Sequence, residues 1–277
     1  MLCSGDKTKL LVVGTRARKI TKLGDRTLGV KVGENEVEET KDEKLLGVLM
    51  SNNYSWNSHL YGNGKKGKDK IMGLIPKLSQ RVGMLSKLNK YMSREQFRTI
   101  SDGIFTSCLL YCLPLFCNIW GLPTMDDSVR RFQAFTKEDC RKLQVLQNKV
   151  LKMKTNNFEK NAPTNGLLDT TGDLSVHQLG AHHTIITAYR IIRTGQPQYL
   201  AEKLVIRTAS QDQVFPARRE GTITVNCDLT LSRSGFIYRA AKLWNLLPRT
   251  LREEPKVEIF KRSVKRWIKG NVPRKPP

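Results

Sequence analysis

The sequence predicts a mainly α-helical protein of the α+β kind, with a small antiparallel β-sheet confined to its N-terminal end. Three observations predict it. Short β-type apolar runs separated by turn residues occur up to about residue 53. From Trp56 onward, apolar residues instead recur three and four apart, the spacing of one helix face. Ser and Thr capping signals then open the longer helical stretches.

In chain order, Leu10-Leu11-Val12-Val13 is an apolar run consistent with a buried strand. Leu28–Val32 and Glu36–Glu38 flank Gly33-Glu34-Asn35, a hairpin with glycine in its turn. Lys44-Leu45-Leu46-Gly47-Val48-Leu49-Met50 reads as one further strand, ended by the turn-prone Ser51-Asn52-Asn53. So few strands make no stable sheet without something to pack on, which points to a truncated domain. Ile71, Leu74, Ile75, Leu78, Val82 and Leu85 form one helical stripe, in which Pro76 predicts a kink or a restart. Ser93-Arg94-Glu95-Gln96 is a capping box that starts a helix running towards Leu113. Thr136-Lys137-Glu138-Asp139 carries a similar signal ahead of the stripe Leu143, Leu146, Val150 and Met153. The polar stretch 156–172, with Pro163, Asn165-Gly166 and Gly172, reads as a loop. Ser175-Val176-His177-Gln178 opens a helix that Gly195 and Pro197 stop. Residues 205–235 are mixed, with extended character around Thr222-Ile223-Thr224-Val225. In the last helix, Val257, Phe260, Val264, Trp267 and Ile268 oppose Lys261, Arg262, Lys265, Arg266 and Lys269. These readings divide the chain into a β-rich segment 1–53, a helical segment 54–134 and a helical module 135–277.

The charge is the strongest functional signal. The chain holds 48 Lys and Arg against 25 Asp and Glu, a net +23 over 277 residues. Such a charge repels itself in the compact state, and a polyanion offsets it. With 39% hydrophobic and 26% charged residues the chain belongs with globular proteins rather than disordered ones. The six cysteines are scattered among apolar or helical stretches, too sparse for a disulfide scaffold, so reduced thiols are expected. The N-terminus shows no basic segment followed by a long apolar one, so the expected setting is nuclear or cytoplasmic, not secreted. Ile104–Trp120, about 17 residues and interrupted by Pro114 and Asn118, is short of the roughly 20 a spanning helix needs. It reads as a core helix ending near Pro114, with no membrane as partner.

Four constellations invite a catalytic or metal reading, and each fails on context. Gly62-Asn63-Gly64-Lys65-Lys66-Gly67-Lys68-Asp69 matches a phosphate loop, but Asp69 stands where Ser or Thr would hold magnesium. Thr124-Met125-Asp126-Asp127 has paired carboxylates without a strand on either side, and acids at a helix start fit the macrodipole. His177, His182 and His183 lack a completing ligand at helical spacing, and Cys108, Cys112 and Cys117 lack the C-x2-C signature. No cofactor is expected. Lys65, Lys66, Lys68 and Lys70, followed by Lys77 and Arg81, are clustered just downstream of Tyr54, Trp56 and Tyr61. Cations interleaved with aromatics suit a surface that tracks a nucleic-acid backbone and stacks bases.

Four segments together resemble the C-terminal part of reverse transcriptases of non-LTR retrotransposons. Lys7-Thr8-Lys9-Leu10-Leu11-Val12-Val13-Gly14 is similar to the strand after that family's catalytic carboxylates. Lys44-Leu45-Leu46-Gly47-Val48, with Ser55-Trp56 and His59, is similar to its segment from primer grip to thumb. Leu143, Leu146, Gln147, Asn148 and Lys149 resemble its "L..lQN" helix, and Tyr238–Pro248 with Phe260-Lys261 resembles its "WN.LP … FK" segment. The resemblance spans nearly the whole chain. It implies the end of a palm, a helical thumb and a C-terminal helical module, with Leu46, Gly47, Val48 and Trp56 at primer-grip-like positions. It further implies RNA or DNA template-primer as partner, with a catalytic polymerase acting in trans as a possible second partner. The family's metal-binding aspartates would precede Lys7, so the expectation is a fragment without polymerase activity of its own. The competing expectation is a non-enzymatic helical scaffold or interaction protein whose charge serves solubility.

Overall fold

A computed structural model describes residues 8–14, 19, 21–22, 24, 28–53, 55–64, 71–122, 135–207, 221–224 and 235–276. Helices take 57% of the chain and the sheets are two antiparallel pairs of short strands, the mainly α fold with a small β part that the sequence predicts. Chain packing divides the described residues into two compact units, with the division after Gln80.

In the first unit, β1 (Lys31–Val32) and β2 (Asn35–Glu36) form the predicted hairpin, Lys31 opposite Glu36. Gly33 in its turn adopts φ 65°. Strands β3 (Asp42–Leu45) and β4 (Val48–Ser51) pair with Leu45 opposite Val48. The run Lys44–Met50, expected as one strand, is thus the two arms of a hairpin folded at Leu46-Gly47. A two-residue hairpin turn of this kind needs positive φ at both central positions. Gly47 takes φ 85° freely, whereas Leu46 at φ 47° costs about 1–2 kcal/mol. Burial of Val48 and Leu49, at roughly 1.5–3 kcal/mol each, offsets that cost. The strand expected at Leu10–Val13 reduces to a bridge between Leu10 and Glu39. Its partner leaves at Lys41, whose carbonyl accepts from Asn52 N at 2.8 Å, to enter β3. Helix α1 (Asn57–Tyr61) packs on β4.

Helix α2 (Leu74–Leu88) buries Leu74, Leu78, Val82 and Leu85 of the predicted stripe, whereas Ile75 is half-buried and Ile71 precedes the helix. Pro76 causes no kink, because the helix starts at Leu74 and first-turn residues need no N–H partner.

Helix α3 (Arg94–Ser101) opens on the Ser93–Gln96 capping box, passes through a π-helical turn at Asp102–Thr106 and continues as α4 (Ser107–Leu110). Cys112, left-handed at φ 56°, ends it earlier than expected, and Pro114 falls in the first turn of α5 (Leu113–Phe116). By length and composition Arg94–Phe116 could cross a membrane, and 28% of its apolar window is buried. Phe97, Phe105, Leu109, Leu113 and Phe116 face the interior.

Helix α6 (Lys137–Thr155) begins at a full capping box, Thr136 Oγ1 accepting from Asp139 N at 3.1 Å and Asp139 accepting from Thr136 N at 2.9 Å. Its stripe Leu143, Leu146, Val150 and Met153 is buried as predicted. The stretch 156–172, expected as a loop, contains helix α7 (Thr164–Thr171). Pro163 sits just before its first residue, Gly172 ends it in the left-handed region, and Leu167 and Leu168 bury against Leu151. Polar composition hid a two-leucine face.

Helix α8 (Val176–Thr194) starts at the Ser175–Gln178 box and stops at Gly195, φ 66°. Helix α9 (Gln198–Ala201) follows, then a bridge between Ile206 and Ile223, α10 (Phe236–Leu246), α11 (Arg249–Arg252) and α12 (Val257–Asn271). Val225 lies outside the described residues. The ring of Phe260 stacks on Tyr189 at 4.0 Å and meets Trp244 at 6.2 Å. Phe260, Val264 and Ile268 of α12 are buried, Trp267 is partly so, and Val257 at the first position is exposed. Lys154, with its side chain 4% exposed, lies between Asp102 (2.7 Å) and Asp173 (3.1 Å), joining α6 to the π-helical turn. Phe260→Ala should destabilise the protein by about 3–5 kcal/mol, measured by urea denaturation, because it empties the point where three helices meet.

Candidate nucleic-acid interface

A closed base brackets the basic cluster in sequence. Helix α1 ends at Gly62, which bridges Met72 in antiparallel fashion. Asn63 closes the pair both ways: its N–H donates to Ile71 O at 3.2 Å, and its Oδ1 accepts from Ile71 N at 2.9 Å. The two backbones touch because both Gly62 and Gly73 lack a side chain. A Cβ on Gly73 would lie 2.4 Å from Gly62 N, and one on Gly62 would lie 2.5 Å from Ile71 O. The chain between these residues carries Lys65, Lys66, Lys68 and Lys70, which lie outside the described residues, as does Tyr54. The base makes Asn63–Ile71 a closed excursion, a property that Gly62 and Gly73, at this spacing, only hint at in sequence.

Lys77 and Arg81 follow on α2, one turn apart and both half-buried. Lys77 lies close enough to His59 to help depress its protonation. The Arg81 guanidinium donates to the Ile104 carbonyl in the π-helical turn, so part of its fork serves the fold. The primer-grip-like residues separate: Leu46 (83% exposed) and Gly47 form the hairpin tip, and Val48 is buried at the start of β4. Trp56 stands before α1, its ring 6.2 Å from that of His59. His59 Nδ1 accepts from Leu49 N at 3.3 Å, which ties α1 to β4. Burial first, and then Lys77, lower its pKa to about 4.

The other sequence candidates meet different fates. In the Gly62–Asp69 segment only Gly62, Asn63 and Gly64 are described, and Asp126 and Asp127 lie outside the described residues. His177 is fully engaged, with Nε2 accepting from Trp120 N at 2.9 Å and Nδ1 donating to Pro273 O at 2.8 Å. Burial lowers the pKa of His182 to about 4, and its Nε2 lies 3.4 Å from Lys261 O. Cys117 is buried beside Thr184 and Gly180, whereas Cys108 and Cys112 are half-buried. Among the described residues no three His, Cys, Asp or Glu side chains converge as metal ligands.

The segments that carried the family resemblance have packing roles. Trp244 Nε1 donates to Gly221 O at 3.0 Å, and Asn245 pairs both ways with the Ile223 backbone at 2.8 and 2.9 Å. Gln147 donates to Leu174 O at 2.9 Å and Asn148 to Thr164 Oγ1 at 2.7 Å. Comparison with protein-family models, with curated proteins and with solved structures finds no match.

Two tests follow from this geometry. Gly73→Ala should cost on the order of 2 kcal/mol and speed amide exchange at Asn63 and Ile71, read by hydrogen exchange. Unfolded His59 and His182 protonate near pH 6.5 but the folded rings only near pH 4, so the unfolded chain binds more protons between those values. Stability should therefore be full above pH 6.5 and fall as pH drops towards 4. His59→Gln or His182→Gln should flatten that decline in thermal melts at stepped pH.

Proposed function

We propose that this chain is a nucleic-acid-binding, non-catalytic part of a reverse-transcriptase-like protein, holding the backbone of an RNA or DNA template-primer. One observation carries the reading. A stretch with four lysines and a single acid, Asp69, lies in sequence between the residues of a base closed by Gly62, Asn63, Ile71 and Met72. Lys77 follows it on α2, and the exposed Leu46 at a strained hairpin tip supports a further apolar contact. Positive charge concentrated on a pinned segment binds phosphates without reading bases, so recognition follows the sugar-phosphate chain. The reading takes Arg94–Phe116 as interior helix in a nuclear or cytoplasmic protein.

The packing roles of Trp244, Asn245 and Gln147 favour a second reading, a helical scaffold that binds another protein. Substitution of Lys65, Lys66, Lys68 and Lys70 by alanine separates the two. On the nucleic-acid reading, filter binding to single-stranded RNA weakens and the salt slope drops by about one for each lysine that contacts a phosphate. A scaffold would bind its partner unchanged. With about six phosphates engaged, affinity of the unaltered chain should fall on the order of 10³-fold between 50 and 200 mM salt. A flat salt profile overturns the reading. Primer extension with Mg²⁺ or Mn²⁺ should yield no product.

A further inference from the structure

The second unit contains an open groove of about 390 Å³ lined by Arg207, Thr222, Thr224, Tyr238, Lys242 and Asn245, a set no sequence motif singles out. Its walls are cross-tied. The segment Gly221–Thr224 is tied to Arg207 by two backbone hydrogen bonds, at 2.8 and 3.0 Å. It is tied to α10 by the paired bonds of Asn245 and by the Trp244 indole. The cations are positioned as well. The Arg207 guanidinium donates to the Thr224 hydroxyl, and the Lys242 ammonium sits over the Tyr238 ring, 5.5 Å from its centre.

Several other cations of this unit are engaged by acids. Arg141, Lys154, Arg249, Lys261 and Arg274 each meet a carboxylate. Arg207 and Lys242 line a cavity with no acidic residue among its described lining, but with two threonine hydroxyls beside them. A guanidinium fork, an ammonium and hydroxyl donors gathered around this tied segment form a receptor suited to a phosphoryl group. Among the described residues the groove is open rather than enclosed, which suits part of a chain better than a buried small molecule. The geometry points to this groove as a second phosphodiester-binding site, gripping the backbone of a single nucleic-acid strand through Arg207 and Lys242. The inference rests on the reading of the chain as a nucleic-acid binder, but it uses residues separate from the lysine segment.

The test uses the full chain and a fluorescein-labelled single-stranded RNA of about 20 nucleotides, in fluorescence anisotropy titrations at several salt concentrations. Arg207→Ala/Lys242→Ala is compared with the alanine variant of Lys65, Lys66, Lys68 and Lys70. Both groove side chains reach solvent, and a thermal melt checks that the double variant still folds. The groove variant should bind about tenfold more weakly, with a salt slope lower by about two. RNA should also protect Lys242 from acetylation, read by mass spectrometry, in both the unaltered chain and the lysine-segment variant. If the groove variant binds normally and Lys242 stays reactive while the lysine-segment variant fails, the groove proposal falls and the proposed function stands. If the groove variant alone loses binding, the groove stands and the lysine segment loses its assigned role. Protection by a mononucleotide but not by RNA would overturn the strand assignment in favour of a free phosphate ester. Equal protection by polyglutamate would overturn the phosphate assignment altogether.

Discussion

The second unit depends on one constraint: helix α8 is covered on nearly every side, so each polar atom it takes inside must find a partner in the surrounding chain. Helices α5, α6, α10 and α12 all pack on it. The polar residues it buries are answered by backbone. His177 is held between Trp120 and Pro273, Gln178 donates to Val272 O at 2.9 Å, and Thr184 donates to Gly180 O at 2.7 Å. Tyr189 reaches the carbonyls of Glu254 and Pro255, where α11 gives way to α12. The bonds to Trp120, Val272, Pro273, Glu254 and Pro255 set where those segments meet α8, whereas apolar packing alone would tolerate sliding by a turn. Gly180 serves the same purpose by space, since a Cβ there would press on Cys117 Sγ at 3.0 Å.

Electrostatics is divided between two kinds of cation. Some have been drawn into the fold. Lys154 is buried between Asp102 and Asp173, and Arg239 lies buried with its guanidinium on the carbonyls of Pro114 (2.7 Å) and Leu115 (3.1 Å). Arg239 caps the end of a short helix whose carbonyls carry partial negative charge. Among the described residues the other cations are all at least partly exposed, and the chain's net value stays far from zero.

Much of the fold is legible in the sequence because its signals are local. Ser93, Thr136 and Ser175 each sit three residues before a reciprocating side chain, so three helix starts can be read within four residues. The stripes of α2, α6 and α12 need only a helical period. What fails depends on context beyond the segment. Leu45 and Val48 look like one strand until Leu46 accepts a left-handed conformation that leucine normally avoids. Pro76 looks like a break until the helix is seen to start two residues earlier. Of the candidate site, the lysines and their neighbouring aromatics are readable, but the closure beneath them rests on Gly62 and Gly73 meeting backbone to backbone. The groove could not be read, because Arg207 and Lys242 are about 35 residues apart and share no motif.

The π-helical turn at Asp102–Thr106 bears on how this chain tolerates change in length. Phe97, Ser101, Phe105 and Leu109 all point inward at steps of four, a spacing that a regular α-helix would rotate steadily away from the interior. The wider turn takes up that drift by accommodating one surplus residue. Removing a single amino acid there would restore an ordinary helix with Leu109 and all that follows still facing inward, whereas converting the turn to α-helix without a deletion would swing them by about 100°. The helix has in effect absorbed an insertion as a local bulge, leaving the residues on both sides in register with their own surroundings.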